Sequence, residues 1–177
     1  GVRISSGNTD HTYSRMSRRA SNYRGFAMPA MISQKPRICA VVDTSGSMSV
    51  EMIHAALNEV QGIAKAMGCT GDYLTLIQVD SAVGSVKPFA DIRKIEITGR
   101  GGTDMRIGIE AAQKMPLPPN TIVLLTDGET PYPAEKLRGA SLIVGIIGDE
   151  YRRARNVENA EQEVPWATVV EIGNKGN

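Results

Sequence analysis

The chain has two cysteines, two histidines, two phenylalanines and one tryptophan in 177 residues, and each scarcity removes a class of answer. Cys39 lies inside an apolar strand-like run and Cys69 follows a helical stretch, so no disulfide framework is expected and both read as small buried or half-buried thiols. His11 and His54 stand apart with no H-E-x-x-H sequence, and zinc peptidase chemistry of that kind would need residues outside this chain. A G-x-x-x-x-G-K phosphate loop is also missing. No window approaches the roughly 20 uninterrupted apolar residues of a membrane span, and the N-terminus lacks the apolar core of a signal peptide. These two absences predict a cytoplasmic protein. The first residue is Gly1 and not methionine, which reads as an excised fragment or a tag scar, with further sequence expected upstream.

What is present fits one ordinary domain. Hydrophobic residues make up 41% of the chain, enough to bury a sizeable core at this length. The net charge of +1 conceals an asymmetry. Residues 1–37 contain Arg3, Arg15, Arg18, Arg19, Arg24, Lys35 and Arg37 against Asp10 alone, a balance of +6 that leaves −5 for the remainder. We therefore divide the chain into a basic N-terminal extension, 1–36, and a body, 37–177. The extension is expected to pack on the body, because Tyr13, Tyr23, Phe26, Met28 and Met31 are apolar anchors that a disordered tail seldom retains. A basic arm is also compatible with nucleic acid.

From residue 37 onward, β-rich runs alternate with amphipathic helical stretches, which predicts a mostly parallel sheet flanked by helices. The run Ile38-Cys39-Ala40-Val41-Val42 reads as a buried strand. Ser49 can cap the next helix, whose apolar face comprises Met52, Ile53, Ala56, Leu57, Val60, Ile63, Ala64 and Met67, with Gly68 as its stop. Strands are expected over 73–79, 121–126, 142–147 and 167–172, with a short antiparallel edge strand over 85–90. A second helix is expected over 104–115, stopped by Pro116. The order of the charged stretch 149–163 and of residues 91–98 stays open. His54 is placed on the exposed or flank face of the first helix, and Trp166 against the last strand.

The segment Asp43-Thr44-Ser45-Gly46-Ser47-Met48 delivers a carboxylate and two hydroxyls to the end of the first body strand. In open α/β sheets that edge is where ligands bind. Oxygen donors of this kind suit magnesium, manganese or calcium better than zinc or copper. Two further segments can converge there: the turn Gly99-Arg100-Gly101-Gly102-Thr103-Asp104 and the strand-terminal Thr126-Asp127-Gly128-Glu129. Taken singly, each has a plainer reading. Ser45 and Ser47 can cap the helix, Thr103 or Asp104 can cap the next one, and Asp127-Gly128 is a common turn. The ordered triple favours a cation site.

These residues resemble the von Willebrand factor A (VWA) domain, whose metal-ion-dependent adhesion site combines a D-x-S-x-S loop, a distant threonine and a later aspartate. The resemblance implies a Rossmann-like α/β fold with a central mostly parallel sheet, one antiparallel edge strand and helices on both faces. It implies that Ser45, Ser47 and Thr103 contact magnesium or manganese, with calcium less favoured, through hydroxyls, and that Asp43 and Asp127 act directly or through water. The sixth position is then left for a carboxylate from a protein partner. Thr44, Gly102, Asp104, Glu129 and Tyr132 are expected on the partner-facing side.

A narrower resemblance rests on Arg18-Arg19, Asp43 to Met48, Val79-Asp80-Ser81-Ala82-Val83, Gly101 to Asp104, Leu124 to Glu129 and Val164 to Ile172. It is to the VWA-like C-terminal domain of bacterial metallopeptidase-type proteins, and it implies an MoxR-type AAA ATPase as partner. The expected function is metal-dependent protein binding without catalysis. Two alternatives go with it: RNA binding through the basic arm, similar to Ro-type VWA proteins, and service as the accessory domain of a metallopeptidase whose catalytic part lies elsewhere. The Asp-Thr-Ser-Gly sequence also matches the turn of an aspartic protease, but those enzymes are β-rich and Asp43 precedes a helix.

Overall fold

The computed structural model describes residues 10–16, 29–32, 36–46, 48–66, 74–79, 83–88 and 104–172. Two short strands, β1 (Asp10–Met16) and β2 (Pro29–Ile32), pair antiparallel as a separate two-stranded sheet within the N-terminal extension. The body contains β3 (Ile38–Asp43), α1 (Val50–Ala66), β4 (Leu74–Val79), β5 (Val83–Pro88), α2 (Met105–Gln113), β6 (Thr121–Thr126), β7 (Ser141–Ile147), α3 (Glu150–Glu163) and β8 (Thr168–Ile172). Its six strands run in the order β5-β4-β3-β6-β7-β8. All neighbours are parallel except β4 and β5, so β5 is the expected antiparallel edge strand.

β3 is buried at every position because a central parallel strand is covered on both faces. Ile38, Ala40 and Val42 join Ile53, Ala56, Leu57, Val60 and Ala64 of α1 on one face. Cys39 and Val41 turn to the other, where Met105, Ile109 and Ala112 of α2 and Ala160 of α3 pack. Handedness explains this division. After β3 the sheet grows toward β4 and β5, and it then resumes on the far side of β3 with β6, β7 and β8. Crossovers of a single hand must therefore put α1 on one face and the later helices on the other. The change of direction makes the β3/β6 boundary the topological switch point, where a crevice opens at the strand ends.

The helix starts have identifiable causes. Ser49 Oγ accepts a hydrogen bond from Met52 N at 3.2 Å and caps α1. Asp104 caps α2, accepting from Arg106 N at 3.1 Å, and Asp149 caps α3, accepting from Arg152 N at 3.0 Å. The charged stretch left open by the sequence is thus helical, over 150–163. His54 is half-buried and its Nε2 has no partner among the described residues. Trp166 packs against the core on the α2/α3 side. Residues 91–98 and Cys69 lie outside the described residues.

α2 sits close on the sheet through Gly108: a Cβ there would lie 2.6 Å from Val41 Cγ1 and closer still to Val79 Cγ2. Both neighbours are buried and β-branched, so they have little room to yield. Gly108→Ala gains about 1 kcal/mol of helix propensity, but overpacking costs about 1–3 kcal/mol. The expected outcome is a net loss of stability, read as a lower urea midpoint at unchanged m-value.

Burial also pushes the Cys39 thiol up to about 12 from 9.0. The folded thiol keeps its proton where the unfolded one has lost it, so this contribution is complete below pH 9 and declines as pH rises toward 12. In a Cys69→Ser variant, a thiol reagent at pH 8.5 should leave native Cys39 unmodified and label it fully in urea. Rapid native labelling would contradict its burial.

Candidate metal centre

The switch point is built around Asp43. Its side chain ends β3 at 1% exposure, and a buried carboxylate requires hydrogen-bond donors to offset lost hydration. Oδ1 accepts from Ser45 N at 2.8 Å. Oδ2 accepts from Thr126 Oγ1 at 3.0 Å, across the boundary between β3 and β6. That same hydroxyl oxygen accepts from Gly128 N at 3.1 Å, so one threonine joins the Asp43 carboxylate to the loop carrying Asp127.

The loop after β3 is tied on its other side to β4. Thr44 N and Thr44 Oγ1 both donate to Val79 O, at 3.2 and 3.0 Å. Thr44 is therefore buried and its hydroxyl faces inward, which corrects its expected place on the partner-facing side. Ser45 is half-buried, and Ser45 O accepts from Met48 N at 3.1 Å in a tight turn toward α1. Ser47, Gly102 and Thr103 lie outside the described residues.

Asp127 follows β6 directly. Oδ1 accepts from Glu129 N at 3.0 Å, closing a side-chain turn that orients the carboxylate. Asn156 Nδ2 donates to Asp127 O at 2.7 Å. Gly128 has φ +93°, a conformation that favours glycine, and a Cβ there would lie 2.7 Å from Asn156 Cβ. Farther along, Thr130 Oγ1 accepts from Met105 N at 3.2 Å and ties the loop to the start of α2.

The remaining expected partner-facing residues separate. Glu129 is exposed beside Asp127. Asp104 is held by capping and by a two-pronged contact with Arg106, at 2.8 and 2.7 Å, and that guanidinium lowers its carboxyl pKa. Tyr132 is a correction. At 8% exposure its ring belongs to the α2/α3 core, where an aromatic of that size gains more from burial than from solvent. Its hydroxyl has no partner among the described residues. Burial raises its pKa first, and the negative charges of Glu163, Asp127 and Asp43 add to the shift.

Asp43, Ser45 and Asp127 thus stand at the ends of adjacent strands with oxygen donors only, which fits a hard cation. Among the described residues, no group of three or more His, Cys, Asp or Glu side chains could hold a metal ion. Any ion here would therefore depend on hydroxyls as well as the two carboxylates. A cleft of about 120 Å³ opens beside Asp127, bounded by Met48 and Met52 from the start of α1 and by Asp149, Arg152 and Asn156 from α3. Thr126, Thr130 and Asn156 are the residues that sequence reasoning missed. Thr126 carried a weak signal as the polar end of an apolar strand next to an aspartate.

A structural relative, an aerotolerance-related membrane protein from Bacteroides fragilis, superposes with a TM-score of 0.52 at 14% identity, covering 77% of this chain and 91% of that one. This likeness establishes the fold alone. An uncharacterised protein of Thermotoga maritima is 34% identical over 105 residues, 58% of this chain and 25% of that protein. The chain thus spans about a quarter of the length of that relative. A family model described as VWA-like domain (DUF2201) matches residues 38–173. Its span takes in both strand ends of the candidate site, and the chain belongs to this family of VWA-like domains.

Proposed function

We propose that this domain binds a magnesium or manganese ion at the switch point and uses it to recruit a protein partner, without catalysing a reaction. Asp43 and Asp127, with the hydroxyls of Ser45, Ser47 and Thr103, would hold the ion. When bound, the ion supplies positive charge and a position for a carboxylate from the partner. The observation that carries this reading is the fastening of Asp43. A nearly inaccessible carboxylate is oriented by Ser45 N and Thr126 Oγ1 at the boundary where the sheet reverses direction.

Exposed apolar residues support a protein partner. Val50, Ile107 and Tyr151 lie in the first turns of α1, α2 and α3, at the same sheet edge as Asp43 and Asp127. Tyr151 is 85% exposed, and aromatic side chains are enriched at protein interfaces. An MoxR-type AAA ATPase is the partner class we propose to test first.

At an ion concentration 100 times Kd, binding stabilises the fold by about 2.7 kcal/mol, which for a domain of this size raises Tm by about 5–10 °C. Magnesium or manganese should produce such a rise over EDTA in the wild type and none in Asp43→Ala or Asp127→Ala. The increment is the relevant quantity, because Asp43→Ala also strands the Thr126 hydroxyl and lowers the baseline. Equal increments in wild type and variants, or no increment in wild type, would defeat the metal reading. Calorimetric binding to a purified MoxR-type ATPase should vanish in EDTA. Binding that persists in EDTA but weakens steeply with salt would point instead to a charge-driven contact.

A further inference from the structure

α3 is the most polar helix of the body and buries only Asn156 and Ala160. A buried carboxamide in such a helix calls for a reason, since an unbonded amide in the interior costs more than an apolar residue of the same shape. Asn156 is 3% exposed, and its Nδ2 donates 2.7 Å to the backbone oxygen of Asp127. The adjacent Gly128 lies so close to Asn156 Cβ that only glycine fits there without a shift. Asp127 is consequently held at two points: its carboxylate by Glu129 N and its carbonyl by Asn156.

We propose that Asn156 is a positioning residue of the candidate metal centre, acting through Asp127, and that α3 thereby sets its ion affinity. This rests on the metal-binding reading above. The peptide between Asp127 and Gly128 borders a glycine, the residue with the widest backbone freedom, so the strand alone does not fix its orientation. Thr126 Oγ1 holds the N–H of that peptide, and the Asn156 bond holds its carbonyl oxygen. Asn156 and Asp127 also share the wall of the cleft bounded by Arg152, so an occupant of that cleft would bear on the same anchor.

Manganese affinity, measured by the electron paramagnetic resonance signal of free Mn²⁺, tests the assignment on the whole chain well below Tm. Loss of an outer partner of a metal ligand weakens binding by about 10–100-fold. Asn156→Ala should show a loss in that range. Asn156→Ser, with a shorter donor, should also weaken binding and serves if the alanine variant does not fold. Val60→Ala, a core truncation on the opposite face of the sheet, should lower Tm yet leave Mn²⁺ affinity within about twofold, separating positioning from general loosening. Wild type that binds Mn²⁺ alongside Asn156 variants that bind it equally well overturns this inference alone. Wild type that fails to bind overturns the metal reading and this inference with it.

Discussion

The hydrogen bond from Thr126 Oγ1 to Asp43 Oδ2 is the interaction on which the candidate site depends, because it joins the ends of the two strands between which the sheet reverses direction. Removing a carboxylate from water is costly, and 1% exposure leaves Asp43 little contact with solvent. Donors from its own loop and from β6 compensate. The same threonine oxygen accepts from Gly128 N, so the Asp43 carboxylate and the Asp127 loop are oriented by one side chain. Movement of either strand end would disturb both acidic residues together.

Around that joint, β4, α2 and α3 are each fastened to a strand-end loop. Thr44 bonds to β4, Thr130 receives the first amide of α2, and Asn156 reaches from α3 to Asp127. The close approach of α2 at Gly108 belongs to the same arrangement, since it fixes the helix whose first amide Thr130 receives. The hydrophobic layers supply the bulk of the stabilisation by removing apolar surface from water. Oriented polar contacts at one edge then determine where the oxygen donors lie.

Much of this fold was legible in the sequence, for reasons specific to particular elements. β6 spans the expected residues because a strand buried on both faces reads as a continuous apolar run with polar ends. α1 was legible through its apolar stripe and Ser49. α3 was not, since a helix that buries only Asn156 and Ala160 has almost no hydrophobic period to detect. β1 and β2 were not legible, since DHTYSRM and PAMI carry no sustained apolar alternation that would mark a strand. At the site, Asp43 and Asp127 were legible through motif and placement. Thr126 and Asn156 act on residues 83 and 29 positions away, a relation that no local pattern records. Thr44 and Tyr132 looked like surface residues because neither belongs to a periodic run, yet tertiary packing buries both.

Parallel topology also accounts for the apolar residues at this edge. A helix that follows a parallel strand begins at that strand's carboxyl end, which places the first turns of α1 and α3 where the acidic loops lie, and the bond from Met105 N to Thr130 Oγ1 brings the start of α2 there too. Val50, Ile107 and Tyr151 are far apart in sequence, and any one of them exposed alone would need no explanation. Their shared edge is different. The other large hydrophobic residues exposed among the described ones, Ile63, Val86 and Leu117, lie late in α1, on the edge strand and beyond the end of α2. Water would favour none of the three at the acidic edge, whereas a docked protein would bury them around a charged centre. Apolar contact would contribute affinity and the oxygen cluster register, the division of roles in which electrostatics specifies an interface that burial stabilises.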